Sequence, residues 1–575
     1  MAKNEELVGI NTAAEQLGIS KKTLRNWDNS GTLKAVRIGN RGDRRYKKED
    51  INKLLNKEKC PEIDKEFFWN WVKHNDFWFQ ELPGLPITAE LGIKEGAKME
   101  NWFKPGVTFY PHLSENDFII QSLSLSESIE NCRAQFEAVN KNPKKIENFF
   151  KEWAKRSKKF ETAMTRLEFI RLKELSTEEL LKEFNLFNKP LIEFWNINLL
   201  VESHDPFTDL YYLDFEKKAS DKKKARHAFS LLTLPTKSSF TAEERKSLLN
   251  MIIKYLNNNK KRKKIMNDSN EDFLTYIKIN EPKFFEALLK HQREFFWVQN
   301  NYLDRTILQV TDFLNILRDS IKESTIEQAR QELDKITNFD ALKKEQEELI
   351  KELKIPEKVV KELEYIKNIT WIKDDRKRVI LIYLHNIHGF IEEFARRTGI
   401  NEKLIGYAKT EEIPLILQNS MPISTLQQRR NGCSFISQKP NKFSILVGNE
   451  FLEFKKLVSK NIETKTVYEI EGNVACRGSE PIIRGKVKVI LNPNKETISE
   501  DEILVTSMTR PDFVPLMRKA RAVITDEGGI TCHAAIVSRE MNKPCIIGTK
   551  NATKVLQSGQ EIEIRMHHGL IKVIK

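Results

Sequence analysis

Several things are scarce in this chain of 575 residues, and each scarcity narrows what it does. Cysteine is rare. There are six, Cys60, Cys132, Cys433, Cys476, Cys532 and Cys545, and no two stand at C-x-x-C spacing. That argues against a zinc ribbon, a thioredoxin-like redox pair or a disulfide scaffold, and scattered thiols suit a reducing compartment. No apolar run approaches the roughly 18 residues that a membrane span requires. The opening "MAKNEELVGI" lacks the apolar core of a signal peptide. A cytoplasmic protein without a membrane partner is therefore expected. No fixed-period repeat marks a solenoid. The first 460 residues contain no Gly-rich phosphate cradle, so no nucleotide site announces itself there.

What is present describes a folded, helix-rich, multidomain chain. Hydrophobic residues make up 40% and charged residues 31%, too apolar for disorder. The length suggests about four domains. The balance of 96 basic against 82 acidic residues gives +14, which permits phosphate or nucleic-acid contact without demanding it.

The positive charge is not evenly spread. Residues 1–58 hold 13 basic and eight acidic side chains, net +5. Within them "GINTAAEQLGISKKTLRNW" fits two short helices, the first capped by Thr12 and stopped at Gly18, the second capped by Ser20. Ala14, Leu17, Ile19, Leu24 and Trp27 would form their shared core. The second helix turns Lys21, Lys22, Thr23, Arg25 and Asn26 outward, side chains suited to phosphates and base edges. "AVRI", "GNRGD" and "RRYK" then make a short hairpin, or wing, carrying Arg37, Arg41, Arg44, Arg45 and Tyr46. This segment resembles the winged helix-turn-helix of MerR and excisionase-like proteins, whose wing ends in a basic-x-Tyr pattern. The resemblance implies double-stranded DNA as a partner.

From about residue 60 to 460 the pattern is helical, and an all-α middle region of unknown role is expected. Ser176 and Glu179 spell a capping box. "FEKKASDKKKARHAF" and "NNNKKRKKIMNDSN" read as polar loops. The aromatic clusters "EFFWNWVKHNDFWFQ" and "REFFWVQN" read as packing rather than a ligand groove. His74, His204, His227 and His291 have no ligand spacing, and His385 and His388 have no third ligand, so no metal site is expected. "DDRKRVILIYLHNIHGFIEEFARRTGI" with "YAKTEEIPLIL" is similar to the helical linker that precedes the phosphohistidine domain in phosphoenolpyruvate synthase-like and rifampicin phosphotransferase-like proteins.

After about residue 465 the texture changes. "KVKVI", "ILVT", "AVIT", "CIIG", "EIEI" and "LIKVI" read as strands punctuated by glycine. "AVIT" leads into "DEGG", a tight turn, and "TCHAAIVSREM" starts a helix with Thr531 as its N-cap. His533 then lies in the first turn, where free N–H groups and the helix dipole favour an anion. A neutral imidazole can take a phosphoryl group and later release it.

"GGITCHAAIVSR" resembles the phosphohistidine signature of the phosphoenolpyruvate-utilising enzymes, and the flanking residues from 465 to 575 follow that family's mobile domain. The resemblance implies a β/β/α swivelling domain in which His533 is the phosphorylated residue. By the local reading, the helix-start N–H groups and the Thr531 hydroxyl, after the Gly528–Gly529 turn, would hold the phosphate, and Arg539 would either assist electrostatically or cap the structure. The resemblance implies ATP or phosphoenolpyruvate as the phosphoryl source, with Mg2+ on the donor. The ATP-grasp and phosphoenolpyruvate-binding barrel that family members bring are not seen, so either the helical middle supplies one such site or separate proteins do, and a donor protein acting in trans is expected. The expectation is a phosphotransfer-linked DNA-binding protein, a transcriptional regulator whose His533 accepts and passes on a phosphoryl group. The alternative is a phosphotransferase acting on a small molecule held by the helical region.

Overall fold

The computed structural model describes residues 7–16, 21, 24–25, 28, 33–38, 42–48, 50, 62–96, 102–103, 108–167, 170–202, 204–218, 222–323, 325–439, 442–459, 469–493, 496–528, 532–566 and 569–574. The N-terminal unit carries the wing. Strands β2 (Val36–Ile38) and β3 (Asp43–Lys47) pair antiparallel, with Val36 opposite Arg45. Strand β1 (Leu7–Gly9) joins β3 on its other edge, which the sequence reading missed. The first helix spans Ile10–Gln16, so Thr12 lies inside it and does not cap it. Ala13, Ala14, Leu24, Leu33 and Tyr46 make the small core.

The middle is mainly helical, as its 3.6-residue periodicity predicts. Helix Glu357–Thr398 is its axis, 42 residues or about 63 Å at 1.5 Å per residue. Gly399, at φ 72°, ends it in the left-handed conformation that glycine takes without strain. Ile369, Ile372, Val379, Leu384, Ile387 and Phe394 pack into the main core with Phe149, Trp153 and Phe194 from neighbouring helices. A second core, built on Leu249, Phe273, Leu288 and Phe313, holds together the helices between Phe240 and Thr337.

Three expectations for this region need correction. The middle is not wholly α-helical: strands β4 (Phe77–Pro83), β5 (Phe109–Glu115), β6 (Phe118–Ser124), β7 (Cys433–Gln438) and β8 (Lys442–Val447) form one antiparallel sheet in the order β4-β6-β5-β7-β8. It joins segments more than 300 residues apart, with Phe109 opposite Gln438. Helix Lys65–Lys73 covers one face, packing Phe68 and Trp71 on Phe109. The two lysine-rich stretches read as loops are largely helical, over His204–Lys218, Lys222–Leu232 and Asn259–Asn267. Lys and Arg favour helix, Asn258 caps the third, and buried Ile265 anchors it. The Ser176 capping box forms as read, with Glu179 N–H donating to Ser176 Oγ at 3.2 Å and Ser176 N–H to Glu179 Oε2 at 2.8 Å.

The C-terminal unit is an eight-stranded mixed sheet. It contains β9 (Glu469–Glu471), β10 (Asn473–Cys476), β11 (Ile482–Val489), β12 (Glu502–Thr506), β13 (Ala522–Thr525), β14 (Cys545–Ile547), β15 (Glu561–Arg565) and β16 (Leu570–Val573). Their order is β10-β14-β13-β12-β11-β15-β16-β9, and β11, β12, β13 and β14 run parallel. Each apolar run read as a strand is one. The parallel strands are apolar on both faces because each face has its own cluster, one built on Val487, Ile503 and Ile524, the other on Leu504, Val523 and Ile547.

Phe68 is wholly buried between helix and sheet. Phe68→Ala is expected to destabilise the middle by about 3–5 kcal/mol, read as a lower urea midpoint by tryptophan fluorescence.

Candidate phosphohistidine site

Two parallel strands build the site. β12 and β13 pair in register through Thr506 and Thr525, so both release their chains at the same sheet edge. Ligands gather at such carboxyl ends in α/β sheets. After β12 the chain passes Thr509 and Arg510 into the turn Pro511–Phe513. After β13 it passes Asp526 and Glu527 to Gly528, at φ 108°. A Cβ there would lie 2.6 Å from Cys532 Sγ, so both conformation and space require glycine. Asp526 ties this loop to the next, accepting the Thr553 N–H at 2.9 Å.

The histidine helix spans His533–Glu540 with Cys532 at its N-cap position. This corrects the expected cap: Thr531 precedes that position, and it and Gly529 lie outside the described residues. His533 is the first helical residue and only 3% exposed. Its Nδ1 is 2.9 Å from Thr509 Oγ1. Its Nε2 has no hydrogen-bond partner among the described residues. Burial drives the His533 pKa well below the ordinary histidine value, and the charges of Lys377 and Arg510 push it the same way. The imidazole is therefore neutral at pH 7. In the tautomer that donates Nδ1–H to Thr509, Nε2 presents its lone pair as a nucleophile.

Arg510 and Asp512 lie beside it, each under 10% exposed and joined at 3.2 Å. Arg510 Nε and Asp512 Oδ1 are further buried polar atoms without partners among the described residues. Orphans of this kind cost about 1–3 kcal/mol each, so their grouping around a nucleophilic nitrogen marks a prepared site. Arg539, expected near the phosphate, instead donates from Nε to Ala475 O at 3.0 Å. It stands about 120° around the helix from His533 and pins β10.

The site is closed by the middle region. Ser239 Oγ donates to Glu540 Oε1 at 3.2 Å, and Phe240 N–H donates to Asp374 Oδ2 at 3.0 Å. Glu540 and Asp374 thus face each other across the seam. Burial, then Asp374, raises the Glu540 pKa to about 8, and burial raises Asp374 to about 6. Sequence reasoning missed Thr509, Arg510, Asp512 and Lys377. The signal for the first three was "TRPD", a loop directly after a strand. Lys377 lies in the linker-like stretch "DDRKRVILIYLHNIHGF", which did not single out that residue.

The other residues singled out sit as follows. Lys21, Arg25, Arg37 and Arg45 are exposed on the N-terminal unit. Arg37 and Arg44 both pair with Asp28, at 2.8 and 2.6 Å. Tyr46 is fully buried with its hydroxyl 3.4 Å from Leu24 O, so its place is in the wing's core and not on its surface. Lys22, Thr23, Asn26 and Arg41 lie outside the described residues. His388 Nε2 meets Asn301 O at 3.1 Å, and His385 packs on Phe296 and Arg305. No helix among the described residues is long and apolar enough to cross a membrane.

With this geometry in place, likeness to known proteins falls on the two ends of the chain. Residues 498–569 match the family model of the PEP-utilising enzyme, mobile domain, and residues 7–59 match that of the helix-turn-helix domain. The chain therefore carries a phosphoenolpyruvate-utiliser mobile domain and a helix-turn-helix domain. Among curated proteins it is similar to the probable phosphoenolpyruvate synthase of Archaeoglobus fulgidus, 47% identical over 116 residues, 20% of this chain and 15% of that protein. It is 46% identical over 111 residues to phosphoenolpyruvate synthase of Pyrococcus furiosus, 19% of this chain and 14% of that one. With the probable phosphoenolpyruvate synthase of Methanothermobacter thermautotrophicus it shares 35% identity over 178 residues, 29% of this chain and 26% of that one. The match thus spans only a small part of each relative.

Two groups set the pH dependence of the seam with opposite signs. Glu540 is protonated when docked and ionised when exposed, so docking weakens as pH rises from about 4.5 through about 8. His533 is neutral when docked, so docking weakens as pH falls below 6.5. Glu540→Gln is expected to abolish the alkaline limb, read by small-angle scattering as a radius of gyration that stays constant from pH 6.5 to 9 while that of the wild type grows.

Proposed function

We propose that His533 is a phosphoryl carrier in a DNA-binding regulator. One observation carries the reading: a buried, neutral imidazole whose Nδ1 is held by Thr509 while Nε2 is left unpartnered. In the first step Nε2 attacks the donor's phosphorus. The N–P bond forms, the donor's bond to phosphorus breaks, and the leaving group keeps the electron pair. The Nδ1 proton stays on the ring, donated to Thr509 Oγ1. In the second step an acceptor oxygen takes the phosphoryl group and the N–P pair returns to Nε2. The donor acts in trans, an ATP-grasp or phosphoenolpyruvate-binding protein with its own Mg2+. Phosphorylation adds about two negative charges, enough to change how the C-terminal domain sits and so what the N-terminal module does. Incubating the chain with ATP or phosphoenolpyruvate and candidate donor proteins is expected to give an acid-labile phosphohistidine that His533→Ala lacks. Equal labelling of the variant would defeat the reading.

The N-terminal unit supports DNA as the regulated partner through the exposed Lys21, Arg25 and Arg45. In salt-titrated gel shifts of the full chain, Lys21→Ala and Arg45→Ala are each expected to lower affinity across sequences and to reduce the salt slope by about one. Unchanged slopes in both would remove these residues from the interface.

A second reading rests on a different observation. A cavity of about 390 Å3 lies at the seam beside the histidine helix, lined by Trp371, Asp374, Phe339, Ile536 and Glu540. That size suits a small molecule. In this reading the chain is a phosphotransferase and the bound molecule accepts the phosphoryl group. Ligand-dependent loss of phosphate from His533, with a phosphorylated product, distinguishes it from the first.

A further inference from the structure

The carrier reading leaves the middle region without a part in holding the phosphate. The geometry of the seam gives it one. On the histidine helix, His533 and Glu540 are seven residues apart and share a face; on the long helix, Asp374 and Lys377 are three apart and share a face. The two faces meet. Glu540 and Asp374 are tied to successive residues, Ser239 and Phe240, and line one cavity together. Lys377 lies one turn from Asp374 on that face of the long helix. Its charge is felt at both His533 and Asp512. Around the same point stand three polar atoms without partners among the described residues: His533 Nε2, Arg510 Nε and Asp512 Oδ1.

We propose that a phosphoryl group on His533 is gripped by Lys377 of the long helix together with Arg510, so that phosphorylation latches the C-terminal domain onto the middle region. The idea rests on the carrier reading and goes beyond it by naming the partner and the consequence. Without phosphate, the neutral imidazole feels the charges of Lys377 and Arg510, and Arg510 pairs with Asp512 at 3.2 Å. With phosphate, a dianion sits on that imidazole and both cations attract it. Contacts elsewhere along the seam are interrupted by cavities. Glu332 and Arg518 meet across it at 3.5 Å, and cavities of about 100 and 390 Å3 flank the contact. A latch is useful only where the unlatched contact is weak.

The test uses the full chain and phosphoramidate, a small phosphoryl donor that needs no partner enzyme. Phosphorylation at His533 is followed by intact mass and acid lability, and docking by hydrogen exchange in peptides covering residues 370–380 and 533–540. In wild type, phosphorylation is expected to slow exchange in both segments by about tenfold. Lys377→Gln should become phosphorylated yet lose most of that protection, and Lys377→Arg should keep it. His533→Ala should show no response. Phosphorylated wild type that exchanges like the untreated protein overturns the latch and leaves the carrier reading standing. So does Lys377→Gln that is protected as well as wild type. If no phosphohistidine forms at His533, the carrier reading falls and the latch with it.

Discussion

The rest of the site depends on one contact: the imidazole of His533 held by Thr509 at the carboxyl edge of the sheet. The hydrogen bond to Thr509 fixes the ring and aims Nε2. Burial keeps the ring neutral, with the charges of Lys377 and Arg510 acting the same way, and neutrality is what a nucleophilic nitrogen needs at pH 7. The parallel pairing of β12 and β13 exists, from the site's point of view, to bring Thr509 and His533 to one edge. The glycine at 528 lets the chain turn tightly enough to start the helix there.

The same contact explains the division of labour between units. The C-terminal sheet is covered by its own clusters on both faces, and it carries His533, Thr509 and Arg510 together. The long helix is anchored in a separate core and offers Lys377 and Asp374 from outside. Chemistry that needs access to a donor in one state and shelter from water in another is well served by such a seam. Its carboxyl pair, Asp374 and Glu540, makes the closed state sensitive to protons.

Much of this was legible in the sequence, and the illegible parts have a common cause. The strands of the C-terminal unit, the turn before the histidine and the helix after it are local features, and local propensity marks them. The wing was legible for the same reason, although Tyr46, read as a surface residue from its basic neighbours, turns inward to fill the core. The five-stranded sheet was missed because its middle pairing joins residues 109–114 to 433–438, and helices fill the sequence between. A signal for part of it was present: Asn116 and Asp117, at φ 50° and 68°, make the tight turn of the β5–β6 hairpin. Two lysine-rich stretches misled because polarity was taken for irregularity, while lysine is a good helix former. Lys377 lies in the linker-like stretch "DDRKRVILIYLHNIHGF", but nothing local couples that one residue to a histidine more than 150 residues away.

The central claim is that His533 carries phosphate on Nε2, and phosphorus NMR of the phosphorylated full chain tests it most directly. The two ring isomers of phosphohistidine give separate resonances. The account predicts a single Nε2-phosphohistidine signal, absent from His533→Ala, because Thr509 occupies Nδ1. A signal from the Nδ1 isomer, or a phosphohistidine that survives in His533→Ala, would contradict it.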